Sequence, residues 1–335
     1  MFRRQIMTAI IVVVLATSFL TGLTLMGRAG AAQSAQVGGG NALKVSPVRL
    51  DVKMDPGVTQ SLSIIIENIS DVSGKLKVSV NDFVAGGDES GRPNIILNDN
   101  EYAPSHSLKR MIAKVPNFTI GPREKKEVKI PVTVPRDAPG GGYYAAVRFS
   151  PADSESDQTL SLSASVGTLV LLTVNGDLKE ELSLESLDAR KKDQPGTFFT
   201  DHKDIQAAVR FKNTGNVQVE PFGKITLKRF GKVVGAYEIN DQDLRGNVLP
   251  DSIRRFSVSL DKVSSFGKYT LEGNFGYGSS GQLLVGQTTF YVIPLLLIIL
   301  AIGILLLLLF LIFVLPRMIR AYNRRVIRRA NRRRY

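Results

Sequence analysis

The residue types that most often carry catalysis are scarce in this chain and poorly spaced for it. There are two histidines, His106 in Ala-Pro-Ser-His-Ser and His202 in Thr-Asp-His-Lys-Asp, and neither has a His-x-x-x-His or related metal spacing. A Ser–His pair would need a nucleophile on a sharp turn, and no Gly-x-Ser-x-Gly elbow occurs. Cysteine is absent, which removes disulfides, thiolate nucleophiles and cysteine metal sites together. Acids cluster in Gly87-Asp88-Glu89-Ser90-Gly91 and in Asn98-Asp99-Asn100-Glu101. A hard cation such as calcium needs several oxygens converging at short range, and neither cluster has EF-hand spacing. Both therefore read as solvated turns, with a loop calcium site at Asp88, Glu89, Asp99 and Glu101 as the alternative. Asn68-Ile69-Ser70 and Asn117-Phe118-Thr119 are glycosylation triplets. The expectation is a protein that is not an enzyme and needs neither cofactor nor metal.

The arginines carry a different chemistry. Val292–Leu315 is an uncharged apolar run, and about 20 such residues in a helix cross a bilayer core. Behind it follow Arg317, Arg320, Arg324, Arg325, Arg328, Arg329, Arg332, Arg333 and Arg334, without one acid. Positive charge flanking a span marks the cytoplasmic side, so these nine arginines are the membrane-orienting residues. Met318, Tyr322, Val326 and Ala330 recur every fourth residue, so the tail can also lie as a helix on anionic lipid head groups.

At the other end, Arg3 and Arg4 precede an apolar stretch from Ile6 to Met26, and small residues follow through Ala35. That is the layout of a signal peptide, residues 1–32, with cleavage near Ala31, Ala32 or Ala35; an uncleaved anchor is the other reading of so long a stretch. Formal net charge is +13. Of the 43 Lys and Arg, nine lie in the tail and three (Arg3, Arg4 and Arg28) in the leader, leaving 31 against 30 acids in the exported part. The high charge is a topology signal and gives no reason to expect nucleic acid as a partner.

Between these ends the pattern is strand after strand. Leu62, Ile64 and Ile66 alternate with Ser61, Ser63 and Ile65, Leu76, Val78 and Val80 with Lys75, Lys77 and Ser79, and Val128, Ile130, Val132 and Val134 with Lys129, Pro131 and Thr133. Ala145, Val147 and Phe149 follow a Gly140-Gly141-Gly142 turn, and Leu160, Leu162, Ala164 and Val166 alternate with serines. A second series has Ile205, Ala207, Val209 and Phe211, then Val217 and Val219, Ile225 and Leu227, and Tyr269 to Tyr277. Period-two alternation marks half-buried strands. Pro131 places its strand at a sheet edge, because proline donates nothing to a ladder. Ser107–Ala113 is expected to make a short turn, and the polar stretch Asp188–Asp204, with Pro195-Gly196, a long loop. The same strand–Asn–turn–strand rhythm occurs at Ile64–Asn68 and Val209–Asn213. The fold class is therefore an all-β ectodomain of two immunoglobulin-like β-sandwich domains, 42–175 and 176–291, followed by one transmembrane helix over 292–315 and an Arg-rich cytoplasmic tail over 316–335.

The first of these domains resembles a known family. Val45-Ser46-Pro47-Val48-Arg49-Leu50 leads to Asp55-Pro56-Gly57 and Ile66-Glu67-Asn68-Ile69-Ser70, and later to Phe118–Pro122, Val134-Pro135 and Pro139-Gly140-Gly141-Gly142-Tyr143-Tyr144-Ala145-Ala146-Val147. This order is similar to the N-terminal domain of the WxL-interacting proteins of Gram-positive bacteria. The resemblance implies a cell-surface protein with two sandwich-like domains, one C-terminal span and a short basic tail. It implies peptidoglycan binding by the first domain and protein contacts by the second. The second domain matches that family only loosely, and no binding residue carries over. No Leu-Pro-x-Thr-Gly signal precedes the span, so covalent wall attachment is not expected.

Sequence alone thus points to a membrane-anchored bacterial surface protein whose extracellular sandwiches bind cell-wall polymer or an envelope protein. The alternative is a chaperone-like assembly factor or accessory subunit of an envelope complex.

Overall fold

The structure is a computed structural model that describes residues 43–152 and 165–320. The leader, the serine-alternating stretch Leu160–Ala164, and Arg324, Arg325, Arg328, Arg329, Arg332, Arg333 and Arg334 lie outside the described residues. What is described is mostly β-sheet with one C-terminal apolar helix.

Among the described residues nine strands precede Gly176: β1 (Leu43–Ser46), β2 (Arg49–Met54), β3 (Thr59–Asn68), β4 (Gly74–Ala85), β5 (Pro93–Ile95), β6 (Phe118–Ile120), β7 (Lys125–Thr133), β8 (Gly141–Pro151) and β9 (Val166–Val174). They form a three-stranded sheet β1-β3-β7 and a larger one ordered β2-β9-β8-β4-β5, with β6 also paired to β4. The alternation in β3 resolves as Leu62, Ile64 and Ile66 buried while Ile65 faces out. On β7, Val128, Ile130 and Val132 are buried opposite them, and Pro131 does sit on an edge strand. These residues meet Ala145, Val147, Phe149, Val170 and Leu172 from the larger sheet in one core. Burying each such side chain contributes about 1.5–3 kcal/mol.

Nine more strands follow: β10 (Leu182–Lys191), β11 (Gln194–Pro195), β12 (Phe198–Phe199), β13 (Ile205–Asn213), β14 (Phe222–Arg229), β15 (Lys232–Ile239), β16 (Ile253–Ser259), β17 (Gly267–Tyr277) and β18 (Gln282–Val292). They make sheets ordered β11-β10-β13-β16 and β12-β18-β17-β14-β15. A second core joins them through Val209, Phe211, Leu227, Tyr269, Phe275 and Phe290.

Two expectations are corrected here. The polar stretch Asp188–Asp204 is not one long loop: Asp188–Lys191 complete β10, and β11 and β12 follow within it. A register shift between Leu184 and Ser186 breaks the period-two pattern ahead of that segment, and Asp188 is held by Arg190 at the strand surface. The apolar helix begins at Leu295, not Val292. Val292 still pairs with Gly267, the Ile293 amide still donates to the Phe199 carbonyl at 2.9 Å, and Pro294, which cannot continue a ladder, caps the helix. Leu295–Arg320 is long and apolar enough to cross a membrane.

Candidate functional site

The strands β8 and β9 break the alternation rule because both their faces are covered. Ala145, Val147, Val170 and Leu172 point into the first core; Tyr144, Ala146 and Leu171 are equally buried on the opposite face. There they join Phe83 in a small third cluster, against which Leu249 of the second sandwich packs. The sheet face that a lone sandwich would expose to water is thus the seat of its neighbour.

Two polar joints hold this seat. At the first, the turn after Asn213 presses on the start of β8: the Gly142 amide donates to the Asn216 carbonyl at 2.8 Å, Asn216 Nδ2 donates to the Gly140 carbonyl at 3.0 Å, and Tyr144 Oη donates to Gln218 Oε1 at 2.9 Å. Gln218 Nε2 in turn donates to Thr173 Oγ1 at 3.1 Å. Burial pushes the Tyr144 hydroxyl's pKa well up, so it stays a neutral donor. At the second joint, the loop between β4 and β5 reaches over to β13 and β16. Glu89 takes both ends of the Arg210 guanidinium, at 2.8 and 2.5 Å, and its carbonyl accepts the Arg255 amide at 2.8 Å. The paired Arg210 guanidinium holds the Glu89 carboxyl below its ordinary range, with the charges of Arg255 and Arg190 adding to the effect. This acid, one of the two clusters with calcium-like composition, is consumed by an arginine; Asp88 turns back onto Ser90. Among the described residues no three His, Asp or Glu groups converge.

Between the joints lies a cleft of about 640 Å³. Leu169, Leu171, Phe83 and Phe256 give it an apolar floor, and Arg49, Arg92, Arg245 and Arg254 its charge, against the acids Glu238 and Asp241. Arg49 is answered on every side: Asp51 at 2.7 Å, Glu220 at 2.9 Å and the Arg245 carbonyl. Arg254 is not. Its Nη1 donates to the Asn247 carbonyl at 2.7 Å and it lies 4.9 Å from the Phe256 ring, yet its Nε is buried without a partner and it makes no ion pair among the described residues. Burial, and then the nearby Arg49 charge, lower its pKa. Its guanidinium is slotted between Gly91 and Gly246, where a Cβ at either position would overlap it; Gly91 also has φ +79°. Beside it the Asn247 side chain, 8% exposed, has both its amide nitrogen and its oxygen buried without a partner. A buried donor or acceptor left unpaired costs about 1–3 kcal/mol. The wall of the cleft therefore holds buried, unpaired polar atoms of Arg254 and Asn247 beside an apolar floor.

In the sequence Arg49 stands out only as part of a family-like stretch and Gly91 only as part of an acidic turn, and Asn247 and Arg254 do not stand out at all. Arg49, Gly91, Asn247 and Arg254 meet only through the docking of the two sandwiches. The one available signal was the doubly apolar run Tyr143–Val147 with Leu169–Leu172, which marks a sheet covered on both faces. Of the arginines expected to orient the span, Arg317 and Arg320 fall on the apolar helix's last turns; Arg317 is exposed and bonds back to the Phe313 carbonyl at 3.1 Å. His106 packs beside Tyr143 and Tyr144, with its Nδ1 against the Gly142 carbonyl. Of the glycosylation triplets, Asn117 is exposed, whereas Asn68 is 2% exposed with its amide fully used.

No family model matches this chain. No curated protein matches it. Among solved structures it is similar to the class 5 fimbriae chaperone CfaA, at 12% identity and a TM-score of 0.38 over 76% of this chain and 100% of that one. It is also similar to the E. coli chaperone DraB, at 13% identity and 0.31 over 74% and 96%, and to the CupB2 chaperone of Pseudomonas aeruginosa, at 11% and 0.31 over 73% and 98%. At these values nothing about this chain's partners follows.

Proposed function

We propose that this chain is a non-enzymatic, membrane-anchored envelope protein that holds a segment of another envelope protein in the cleft between its sandwiches. Its role would be that of a chaperone-like assembly factor or an accessory subunit of an envelope complex. The observation that carries this reading is the unanswered wall of the cleft, Arg254 Nε and the Asn247 amide above Leu169, Leu171 and Phe256. A polypeptide segment is the ligand whose chemistry fits. Its carbonyl and N–H groups match the two ends of the Asn247 amide, a carboxylate matches the guanidinium, and its apolar side chains match the floor. The helix Leu295–Arg320 serves as the anchor, and the arginines from Arg317 onward orient it with the sandwiches outside.

The test is retention of envelope proteins and of isolated wall by the immobilised full chain, for the native protein and for Arg254→Met. Replacing a buried unpaired cation by an apolar side chain of similar length leaves folding intact. Retention of discrete envelope proteins that falls at least tenfold in the variant supports the reading. Retention of wall alone moves the function to peptidoglycan binding, as the WxL-interacting resemblance implies. Retention of neither material removes both.

A further inference from the structure

The strand register gathers an unusual set of side chains at one end of the second sandwich. β18 ends at Val292, opposite Gly267 at the start of β17, with Lys268 opposite Tyr291. Arg229, at the end of β14, lies opposite Tyr269 on one side and Lys232, at the start of β15, on the other. Phe198 and Phe199 lie alongside Tyr291 and Val292. Phe198, Phe230, Phe266, Lys232 and Lys268 therefore share the end from which the chain leaves for the apolar helix. Phe198 is 68% exposed and stacked on Tyr291 at 5.1 Å; Phe230 is 60% and Phe266 47% exposed, paired at 6.3 Å. Val233 beside them is 62% exposed. Rings held outward in pairs gain nothing from water, and the sandwich has ample core to have buried them.

The charges at this end are chiefly positive. Asp201 is paired with Lys191 at 2.5 Å and Asp261 with Lys262 at 3.3 Å. Lys192, Lys203, Lys232 and Lys268 are exposed with no acidic partner among the described residues, against one unpaired acid, Asp204.

Geometry fixes what lies opposite this end. Only Ile293 and Pro294 separate β18 from the helix, and two extended residues reach at most about 7 Å. From Leu295 to Leu315 a helix rises roughly 31 Å, which is the thickness of a bilayer's hydrocarbon core. With Arg317 held at the far boundary there is no slack, so Leu295 sits at the near one and the end of the sandwich sits in the head-group layer.

We propose that the end of the second sandwich bearing Phe198, Phe230, Phe266, Lys232 and Lys268 docks onto the bilayer surface, its rings in the interface and its lysines on anionic lipid phosphates. This rests on the reading of Leu295–Arg320 as a span, and the test separates the two. The chain contains no tryptophan, so Phe198→Trp, Phe230→Trp and Phe222→Trp each create a single fluorophore. Phe222, 42% exposed, lies at the opposite end of β14 and serves as the reference. Each full chain is reconstituted into phosphatidylcholine/phosphatidylglycerol vesicles with and without brominated acyl chains. The proposal expects blue-shifted emission and at least twofold quenching for F198W and F230W, and neither for F222W. Chains that resist alkaline extraction but show F198W and F230W no more quenched than F222W overturn the docking surface and leave the span standing. Chains stripped by alkali overturn the span, and the docking surface with it.

Discussion

Asn68 and Asn213 do the same job in the two sandwiches. Each closes a strand, accepts the amide two residues on (Ser70 at 3.0 Å, Gly215 at 2.9 Å) and donates to the carbonyl four residues on (Val72 at 2.7 Å, Val217 at 2.8 Å). Each sends a second donor bond at 2.8 Å to a distant loop, Gly121 or Val248. The difference lies in what the turn meets. After Asn68 the turn runs into solvent, with Ile69 and Val72 exposed. After Asn213 it presses into the neighbouring sandwich through Asn216 and Gln218, and a Cβ on Gly215 would overlap the Lys179 carbonyl. One local device thus serves as a strand terminator in one half and as a joint in the other. The distinction is made by the partner surface and not by the turn itself.

The sharpest probe of that difference is the pair Asn213→Ala and Asn68→Ala. Asn213→Ala loses three side-chain hydrogen bonds and strands buried groups of Gly215, Val217 and Val248, at about 1–3 kcal/mol per orphaned group, whereas Asn68→Ala loses four whose partners, Ser70, Val72 and Gly121, are half-buried or exposed. N213A also loosens the joint, so denaturant unfolding of the full chain in detergent is expected to show a loss of about 4 kcal/mol for N213A against about 2 kcal/mol for N68A. Equal losses would mean that the joint adds nothing to the second turn.

Glu89→Gln breaks the other joint. It is expected to cost about 2 kcal/mol at neutral pH, as charged hydrogen bonds of this kind contribute. Because the folded carboxyl titrates below its ordinary value near 4.5, its contribution is complete above that value and drains away as pH falls below it. The stability gap between native protein and E89Q, followed by thermal unfolding, should therefore close on acidification. A gap that does not narrow at all as the pH is lowered below that value would mean that shape and not charge holds this loop. Tyr144→Phe removes a single bond to Gln218 and should cost about 1 kcal/mol in the same assay.

The smallest effect is expected in the cleft. Asn247→Leu removes an amide that satisfies no one, so unfolding should shift by less than about 0.5 kcal/mol, or toward greater stability. A large loss would place Asn247 with the joints and take away the reason for reading the cleft as a binding wall.

Much of this was legible in the chain. The alternation of Leu62, Ile64 and Ile66, and of Val128, Ile130 and Val132, marks the core faces, and Pro131 marks an edge, because each follows from a single strand's own chemistry. The rhythm at Asn68 and Asn213 was visible as well, though not that both amides would be buried. Other features depend on two segments meeting. The bulge after Leu184 disguised the end of β10, and the apolar residues of β18 merge into those of the helix, so hydropathy could not separate them at Val292. Nothing in the sequence sets Arg254 apart from the other cations; only Gly91 and Gly246, brought over it by the fold, make it a buried and unanswered one.

The two-residue link between β18 and the apolar helix has a mechanical side. β18 pairs with β17 over its full length, from Gln282–Tyr277 to Val292–Gly267. Antiparallel hydrogen bonds run across the strands. With the helix fixed in a bilayer, tension from a captured partner would enter along β18 and load all of those bonds together in shear rather than peel them one at a time. With Pro294 at the exit and no flexible tether to extend first, the second sandwich would pass force to the membrane as a stiff post.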